Sequence, residues 1–518
     1  MQEYCLSKKP VTASPRVDPP FAKRTRKIIV VGGGYTGACA AIALVRRSAF
    51  PLKVTLIDPA QHPGAGLAYS AIDLDHRLNG LAHMHTAVVD DAGHFARWCL
   101  ASNLREKDPQ ALLPDGRVYA RRADFGRYMQ QTLQAHQKWP ATGSTIHHLR
   151  STAVSISQFG DPLAVHTADA QVLHAELILA ATGNPPPRLP PPFAAALAHH
   201  PAVIDNALDT ERLYHIEADS RVLLVGASLT ALDVLSTLMR RGHRGEILVL
   251  SRRGLRPRPQ APAQTGACTL EDFADLPASV ALDRLSRPTP PYLSTVDGPL
   301  EVRNWLRGLR REIARVQAHG GNWYQAFDEM RDVVWRTWPT LPAAQKRRFL
   351  GRLRTWYDVH RFRSPPQNDA LVTAAAADGR IRFLAASLQS AAVCAIGGQI
   401  EISLIERGST VAQIERFDRV INCTGLDALA GLSSNPFLSA LDSAGWIRPD
   451  ASGIGFDVDS KCRAIGRHGR VQPQLRLLGP PTLGHFGDTG GAMYIAGQID
   501  RIVPGVLREL AEGDQLSA

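Results

Sequence analysis

The sequence predicts an α/β protein built from two Rossmann-like dinucleotide-binding domains, the second carrying a helical insertion. Three observations predict it. A strand, a glycine turn, a helix and another strand follow one another twice, first from Arg26 and again from Arg221. The last strand of each unit stops at a charged residue, and the sign differs between the copies. Each unit then leads through alternating segments to a strand that stops at Thr-Gly.

The first unit reads KIIVV, then GGGYTG, then ACAAIALV. Gly32, Gly34 and Gly37 fit the G-x-G-x-x-G pattern, in which glycine permits a tight turn, close backbone approach to a pyrophosphate, and close helix–strand packing. The helix start then offers free N–H groups to phosphate. The next strand ends at Asp58, 26 residues after Gly32, where an acid accepts hydrogen bonds from an adenosine ribose. This unit is the expected FAD cradle.

The second unit, RVLLVGASLTALDVLSTLMRRG, repeats the plan from Arg221. Counting 26 residues on from Gly226 reaches Arg252, the place that Asp58 holds in the first copy. A guanidinium there suits a 2′-phosphate as an acid suits a bare 2′-hydroxyl. The second unit is therefore the expected NADPH cradle, with Arg252 and Arg253 as the phosphate clamp and Gly226, Ser228 and Thr230 on its turn and helix start. Solvated surface charges would give the same pair of arginines. Ser228 replaces the usual second glycine and Ala231 the third.

A further repeat supports the pair. HAELILAATGNPPP and RFDRVINCTGLD each end a strand in Thr-Gly, at Thr182–Gly183 and Thr424–Gly425, and each follows segments that alternate like a β-meander. The order is one dinucleotide-binding domain interrupted by another, a glutathione-reductase-like two-domain arrangement. The expected divisions are a disordered leader over 1–26, an FAD-binding domain over 27–215 plus 427–518, and an NADPH-binding domain over 216–426 with its helical insertion over about 262–375.

The insertion shows helical periodicity and many arginines. Its tryptophans are expected in a core or an interface. Within WYDVHRFRSPP, His360, Arg361 and Arg363 are candidates to meet an anionic ligand, and structural ion pairs fit their spacing equally. Near the end, LRLLGPPTLGHFGDTGGAMYIAG reads as a strand, a glycine-rich turn and a helix, with Gly479 in the turn and Gly490, Gly491, Ala492 and Met493 at the helix start. A helix N-terminus placed there can face the electron-rich end of a flavin.

Composition excludes several classes. The chain has 518 residues, 44% hydrophobic and 21% charged, with a formal charge of +11. No stretch approaches the roughly 20 apolar residues of a membrane span, and the N-terminus lacks the apolar core of a signal peptide, so a cytoplasmic protein is expected. The seven cysteines contain no C-x-x-C pair, which speaks against a metal site and a redox-active disulfide. The arginines are spread along the chain without a nucleic-acid motif.

The pieces VVGGGYTG, GAGLAYS, RLNG, YARRADFGRYM, ILAATG, VLLVGASLTALD, LSRRGLRP, WYDVHRFRSPP, VINCTG and LRLLGPPTLG together resemble a bacterial FAD/NAD(P)-binding family. That family is related to flavin-dependent amino-acid N-hydroxylases and, more distantly, to class B flavin monooxygenases. The resemblance implies bound FAD, reduction by NADPH, and reaction of the reduced flavin with molecular oxygen. It implies that Gly66, Tyr69 and Asn79 lie near the flavin, that Arg122 helps to hold the FAD side, and that His360 and Arg363 border the cleft. RLNG lacks the valine and proline that commonly follow the asparagine in the family.

The expected activity is hydroxylation of an amine, on an amino acid or small carboxylate-bearing amine, through a C4a-hydroperoxyflavin. The cofactor performs the chemistry, which fits a sequence that offers no nucleophile or acid–base triad. Two alternatives use the same fingerprints. One is an NADPH-dependent reductase serving a quinone or protein acceptor; the other is an FAD-binding sensor or scaffold without turnover.

Overall fold

A computed structural model describes residues 24–512 except 72, 158–161, 198, 262–268, 276–279, 295–300, 395–396 and 426–430. Most of the expected leader, the first residues of the expected insertion and the expected return point at 427 lie outside the described residues. Arg26, the last residue assigned to the leader, is buried and opens the first strand.

The described residues form two seven-stranded sheets and one three-stranded sheet. In the first unit β1 (Arg26–Val31) leads through α1 (Tyr35–Arg47) to β2 (Leu52–Ile57). α2 (Arg122–Ala135), β3 (Lys138–Trp139) and β4 (Ser144–Leu149) follow. β5 (Ala153–Ser157), β6 (Leu163–Thr167) and β7 (Val172–Ala175) form the separate antiparallel meander, and β8 (Leu177–Ala180) returns to the main sheet.

The second unit adds β9 (Val203–Ile204), β10 (Val222–Val225), α3 (Leu229–Arg240) and β11 (Ile247–Ser251). Its insertion includes α4 (Val302–Ala318), α5 (Trp323–Asp332), α6 (Ala343–Arg352), α7 (Arg354–Arg361) and α8 (Pro366–Ala377). Four strands complete it: β12 (Ile381–Val393), β13 (Ile400–Glu406), β14 (Ala412–Phe417) and β15 (Arg419–Asn422). The chain then re-enters the first sheet with β16 (Arg463–Ile465) and β17 (Val471–Leu477), and closes on α9 (Ala492–Glu512).

The strand orders show the internal repeat. The first sheet runs β16-β17-β8-β1-β2-β4-β3 and the second β14-β13-β12-β11-β10-β15-β9. β8-β1-β2 and β15-β10-β11 are matching parallel trios, each with the fingerprint strand in the middle. Such strands are covered on both faces, so they read as continuous apolar runs; Ile28 to Val31 and Val222 to Val225 are all buried. The two meanders differ. The first is a sheet of its own, whereas β12 pairs parallel with β11 over its first half and antiparallel with β13 over its second, fusing the second meander to the main sheet.

α1 explains its alanines. Every residue from Tyr35 to Val45 is buried, because the helix is packed between the sheet and α9; Arg47 pairs with Asp500 of α9 at 2.6 Å. Small side chains allow that close approach.

Candidate functional site

Both fingerprint turns are shaped by one contact. Gly32 has φ +102° and Gly226 φ +110°, a region that glycine adopts without strain. A Cβ on Gly32 would lie 2.3 Å from the Ala181 carbonyl oxygen, and one on Gly226 would lie 2.3 Å from that of Cys423. Those carbonyls precede Thr182–Gly183 and Thr424–Gly425. The strand that ends in Thr-Gly is thus the floor on which each fingerprint turns, which gives the repeated A/C-T-G its physical reason. Gly37 closes the first turn, its Cβ position lying 1.9 Å from the Gly32 carbonyl oxygen.

The second fingerprint position needs no unusual backbone. Gly34 sits at φ −72° and Ser228 at φ −89°, each the N-cap of its helix. Serine therefore fits where glycine is usual. Neither residue caps its helix through a side chain, so first-turn N–H groups remain open to an anion. Thr230 lies half-buried in the first turn of α3.

The charged residues stand where the parallel trios place them. The Asp58 carboxylate follows β2 and accepts hydrogen bonds from the Gly33 N–H at 2.6 Å and the Ala60 N–H at 2.8 Å. Each oxygen keeps a lone pair for a further donor. Arg252 follows β11, exposed to solvent, and Arg253 lies 5.8 Å over the Trp356 ring.

Around the first turn the chain folds several segments onto the strand ends. The single helical turn Gly66–Tyr69 lies over the fingerprint: Gly64 N–H donates to the Gly33 carbonyl at 2.6 Å, and a Cβ on Gly34 would come within 3.3 Å of Gly66 Cα. Tyr69 turns to the Tyr35 and Phe125 rings, at 5.9 and 4.7 Å, and burial pushes its hydroxyl up to about 12. Tyr35 donates to the carbonyls of Thr86 and Ala492, tying the start of α9 to the fingerprint. Gly479 follows β17 and abuts Thr36. The Asn79 carbonyl accepts from the Gln260 side chain at 2.5 Å, joining the two domains there.

Arg122 crosses between the domains. It pairs with Asp233 of α3 at 2.8 Å, donates to the Arg77 carbonyl at 3.2 Å, and so ties α2 of the first unit to the second fingerprint helix. His76 and Thr237 make a second crossing at 3.2 Å. Asp233, a lone acid within the apolar face LTALDVL, is a signal that the sequence offered and that the motif reading passed over.

The insertion reaches the same place. Arg361 pairs with Asp488 at 2.5 Å and lies against Gly491, at the start of α9. Burial opposes the charge of Arg361, but Asp488 and Tyr494 together outweigh it and the net effect is to hold the guanidinium protonated. Arg363 pairs with Asp328, which Arg331 also meets at 3.2 Å; Arg331 and Arg284 lie 3.5 and 2.9 Å from Asp332. His360 is apart from this set, bonded to the Trp356 carbonyl and edge-on to Trp323, with its imidazole held neutral by burial. The structure thus gathers Arg361 and Arg363 into buried ion pairs and sets His360 against the aromatic face of α5.

The groups left open fit a flavin nucleotide. The Thr182 and Thr489 hydroxyls are buried without a hydrogen-bond partner among the described residues, one beside the floor of the first turn and the other before α9. A buried hydroxyl left unpaired is costly, and a ligand with polar edges would satisfy both. Among the described residues nothing lies within 4 Å of a Cβ built on Gly183 or Gly490, so these flanks are open. Among the described residues no three His, Cys, Asp or Glu side chains converge to hold a metal ion, and no helix is long and apolar enough to cross a membrane.

Fold and turns together define a two-domain dinucleotide-binding protein. Residues 29–185 match the family model described as FAD-NAD(P)-binding, so the first unit is an FAD/NAD(P)-binding domain. No curated protein matches the sequence. Among solved structures the chain is similar to ornithine N-hydroxylase from Kutzneria sp. 744, with a TM-score of 0.61 at 13% identity over 94% of this chain and 100% of that one. It is similar to ornithine hydroxylase from Pseudomonas aeruginosa, with a TM-score of 0.59 at 15% identity, again over 94% and 100%. Cadaverine monooxygenase from Erwinia amylovora gives 0.57 at 13% identity over 92% and 94%. These likenesses show that the whole described architecture is the fold of that group.

Proposed function

We propose that the protein is an FAD-dependent, NADPH-using monooxygenase that hydroxylates the amine of an amino acid or of a small carboxylate-bearing amine. The observation that carries the reading is the charge reversal between two otherwise matching turns: Asp58 bonded to the Gly33 N–H, Arg252 exposed at the equivalent strand end. One cradle suits a bare ribose and the other a phosphorylated one. The fold shared with N-hydroxylases supports the choice of reaction. The Kutzneria enzyme was solved with reduced FAD, NADP+ and L-ornithine.

In this reading FAD, when bound, accepts hydride and activates oxygen. The chain's residues bind and orient. Gly32, Gly34 and Gly37 admit the pyrophosphate to the start of α1, and Asp58 takes the ribose. Thr182 and Thr489 supply the hydroxyls that lack partners. Arg252 and Arg253 hold the 2′-phosphate, with Ser228 and Thr230 beside it. Near the start of α9, Arg284, Arg331, Arg361 and Arg363 share Asp328, Asp332 and Asp488 among the described residues. One positive charge is left over, which supports a carboxylate on the substrate. The free thiols of Cys39, Cys99, Cys394, Cys423 and Cys462 fit a reducing compartment such as the cytoplasm.

The test uses purified holoprotein, NADPH, oxygen and a panel of ω-amino acids beginning with L-ornithine and L-lysine. A product one oxygen atom heavier, formed in step with NADPH oxidation, is expected. Rapid anaerobic reduction of quinone dyes with no oxygenated product from any amine would replace this reading with the reductase. A bound flavin that NADPH leaves oxidised would replace it with the sensor.

A further inference from the structure

The helix that begins at the first cradle borders a second cavity further along. Arg501 is nine residues beyond Ala492 on α9, about 13 Å along the axis. A cavity of about 540 Å³ opens there, with Trp335, Phe486, Ile502 and Val506 among its apolar walls. The Arg501 guanidinium lies 3.8 Å over the Trp335 ring.

Its charge is not neutralised. Arg501 makes no hydrogen bond or ion pair among the described residues. The adjacent Asp500 is taken by Arg47 at 2.6 Å. Glu509, on the cavity wall, already serves Lys461 at 3.2 Å and the buried Arg476. The other guanidinium on Trp335, that of Arg336, is occupied by the Thr289 hydroxyl and the Arg287 carbonyl. Burial pulls the Arg501 pKa down to about 10; Cys462 and Asp500 oppose the shift and Arg336 adds repulsion. A half-buried guanidinium with no direct ion pair favours an anion beside it.

We infer that this cavity is a binding site for a small apolar carboxylate, an aryl or branched aliphatic acid, whose carboxylate pairs with Arg501 while its body lies on Trp335 and Phe486. Arg508 also lines the cavity without an ion pair among the described residues, but Arg501 is the guanidinium held against the apolar wall, over Trp335. Arg336, Lys461, Arg476, Arg501 and Arg508 against Glu509 and Glu512 leave the wall positive, and its apolar residues favour an acid with an apolar body. Stacking on the indole fixes the guanidinium plane, and its N–H edge can then meet a carboxylate in bidentate fashion. The site is separate from both nucleotide cradles, and nothing in the proposed reaction uses it.

Calorimetric titration of the flavin-loaded protein with phenylacetate tests the inference, beside phenylacetamide, acetate and inorganic phosphate. Phenylacetate should bind, quench Trp335 fluorescence and leave the flavin spectrum unchanged. Phenylacetamide, which lacks the charge, and acetate, which lacks the body, should each bind at least about tenfold more weakly. Arg501→Gln should lose the same factor with flavin content unaltered. The amide comparison needs only the unaltered protein, so it decides even if the variant misfolds. Equal affinity for acid and amide, tighter binding of phosphate than of phenylacetate, or no binding at millimolar concentration would each overturn it.

Discussion

Replacing Arg252 by alanine isolates the charge reversal that separates the two cradles. Arg252 is exposed and Arg253 is restrained over Trp356, so the more mobile Arg252 has the freer reach to a 2′-phosphate. A unit charge pair about 4 Å apart is worth about 1 kcal/mol in water and about 4 kcal/mol at a protein surface of low effective dielectric. An exposed side chain lies toward the lower end, while charge-assisted hydrogen bonds to a doubly charged phosphate add to it. About 1.5 to 2.5 kcal/mol is therefore expected, or roughly a 10- to 70-fold rise in the NADPH concentration for half-maximal flavin reduction. NADH lacks the phosphate and should change less than about twofold. The assay is stopped-flow bleaching of the flavin under anaerobic conditions with each nucleotide. Equal losses with NADPH and NADH would refute the clamp, because a general disturbance of the turn cannot distinguish them.

Three further outcomes follow from the same geometry. Gly34→Val should give colourless but folded protein, since even a Cβ there meets Gly66 Cα at 3.3 Å and the added methyls enter the pyrophosphate approach; a normal flavin spectrum on purification would contradict the first cradle. Asp233→Ala should destabilise by about 3 kcal/mol in urea denaturation, the lower part of the range for a broken buried pair, because Arg122 keeps its bond to the Arg77 carbonyl. Arg122→Leu combined with Asp233→Leu should recover part of that loss, and strict additivity would argue against coupling. His94→Gln should flatten the acid limb of stability: burial holds the native imidazole at about 4 against about 6.5 unfolded, so the unfolded chain binds the proton first and stability falls as pH drops through that window. Thermal midpoints that fall in parallel for both proteins between those pH values would show that His94 does not contribute.

The fold is legible in the sequence because its main constraint is local. A parallel strand buried on both faces must be apolar throughout, and a turn against a carbonyl must be glycine; both facts are written at Val30–Gly32 and Val225–Gly226. The Thr-Gly strand ends were visible too, but their reason is the contact of Gly32 with Ala181 and of Gly226 with Cys423, which no spacing reveals. Side-chain partnerships are legible least. Arg361 meets Asp488, 127 residues away, and Arg363 meets Asp328, 35 residues away. Spacing alone left ligand contact and ion pair equally open at these arginines. Asp488 and Thr489, just before the glycines of GDTGGA, passed unnoticed because a motif reading weights the glycines; an acid and a hydroxyl at the start of a buried helix are the signal that marks them.

The crossings between the domains also bear on how the two cradles can move. The segment from Asp73 to Arg77 leaves the first domain and is held by the second at several points. Arg240 of α3 pairs with both Asp73 and Asp75, Tyr214 donates to Asp73 at 3.0 Å, and Asn368 of α8 donates to the Asp75 carbonyl at 2.9 Å. Asp73 and His76 are fully buried in this joint, with Arg122–Asp233 beside it. Rotating one sheet against the other would expose or unpair these groups together. Each buried charge left without its partner costs several kcal/mol, so a large rotation would need a compensating set of contacts in the rotated state. The arrangement of α2, the 73–77 segment and α3 therefore favours a fixed separation of the two fingerprints, with α3 as the element that carries both the second N–H cradle and the acid that anchors it to the first domain.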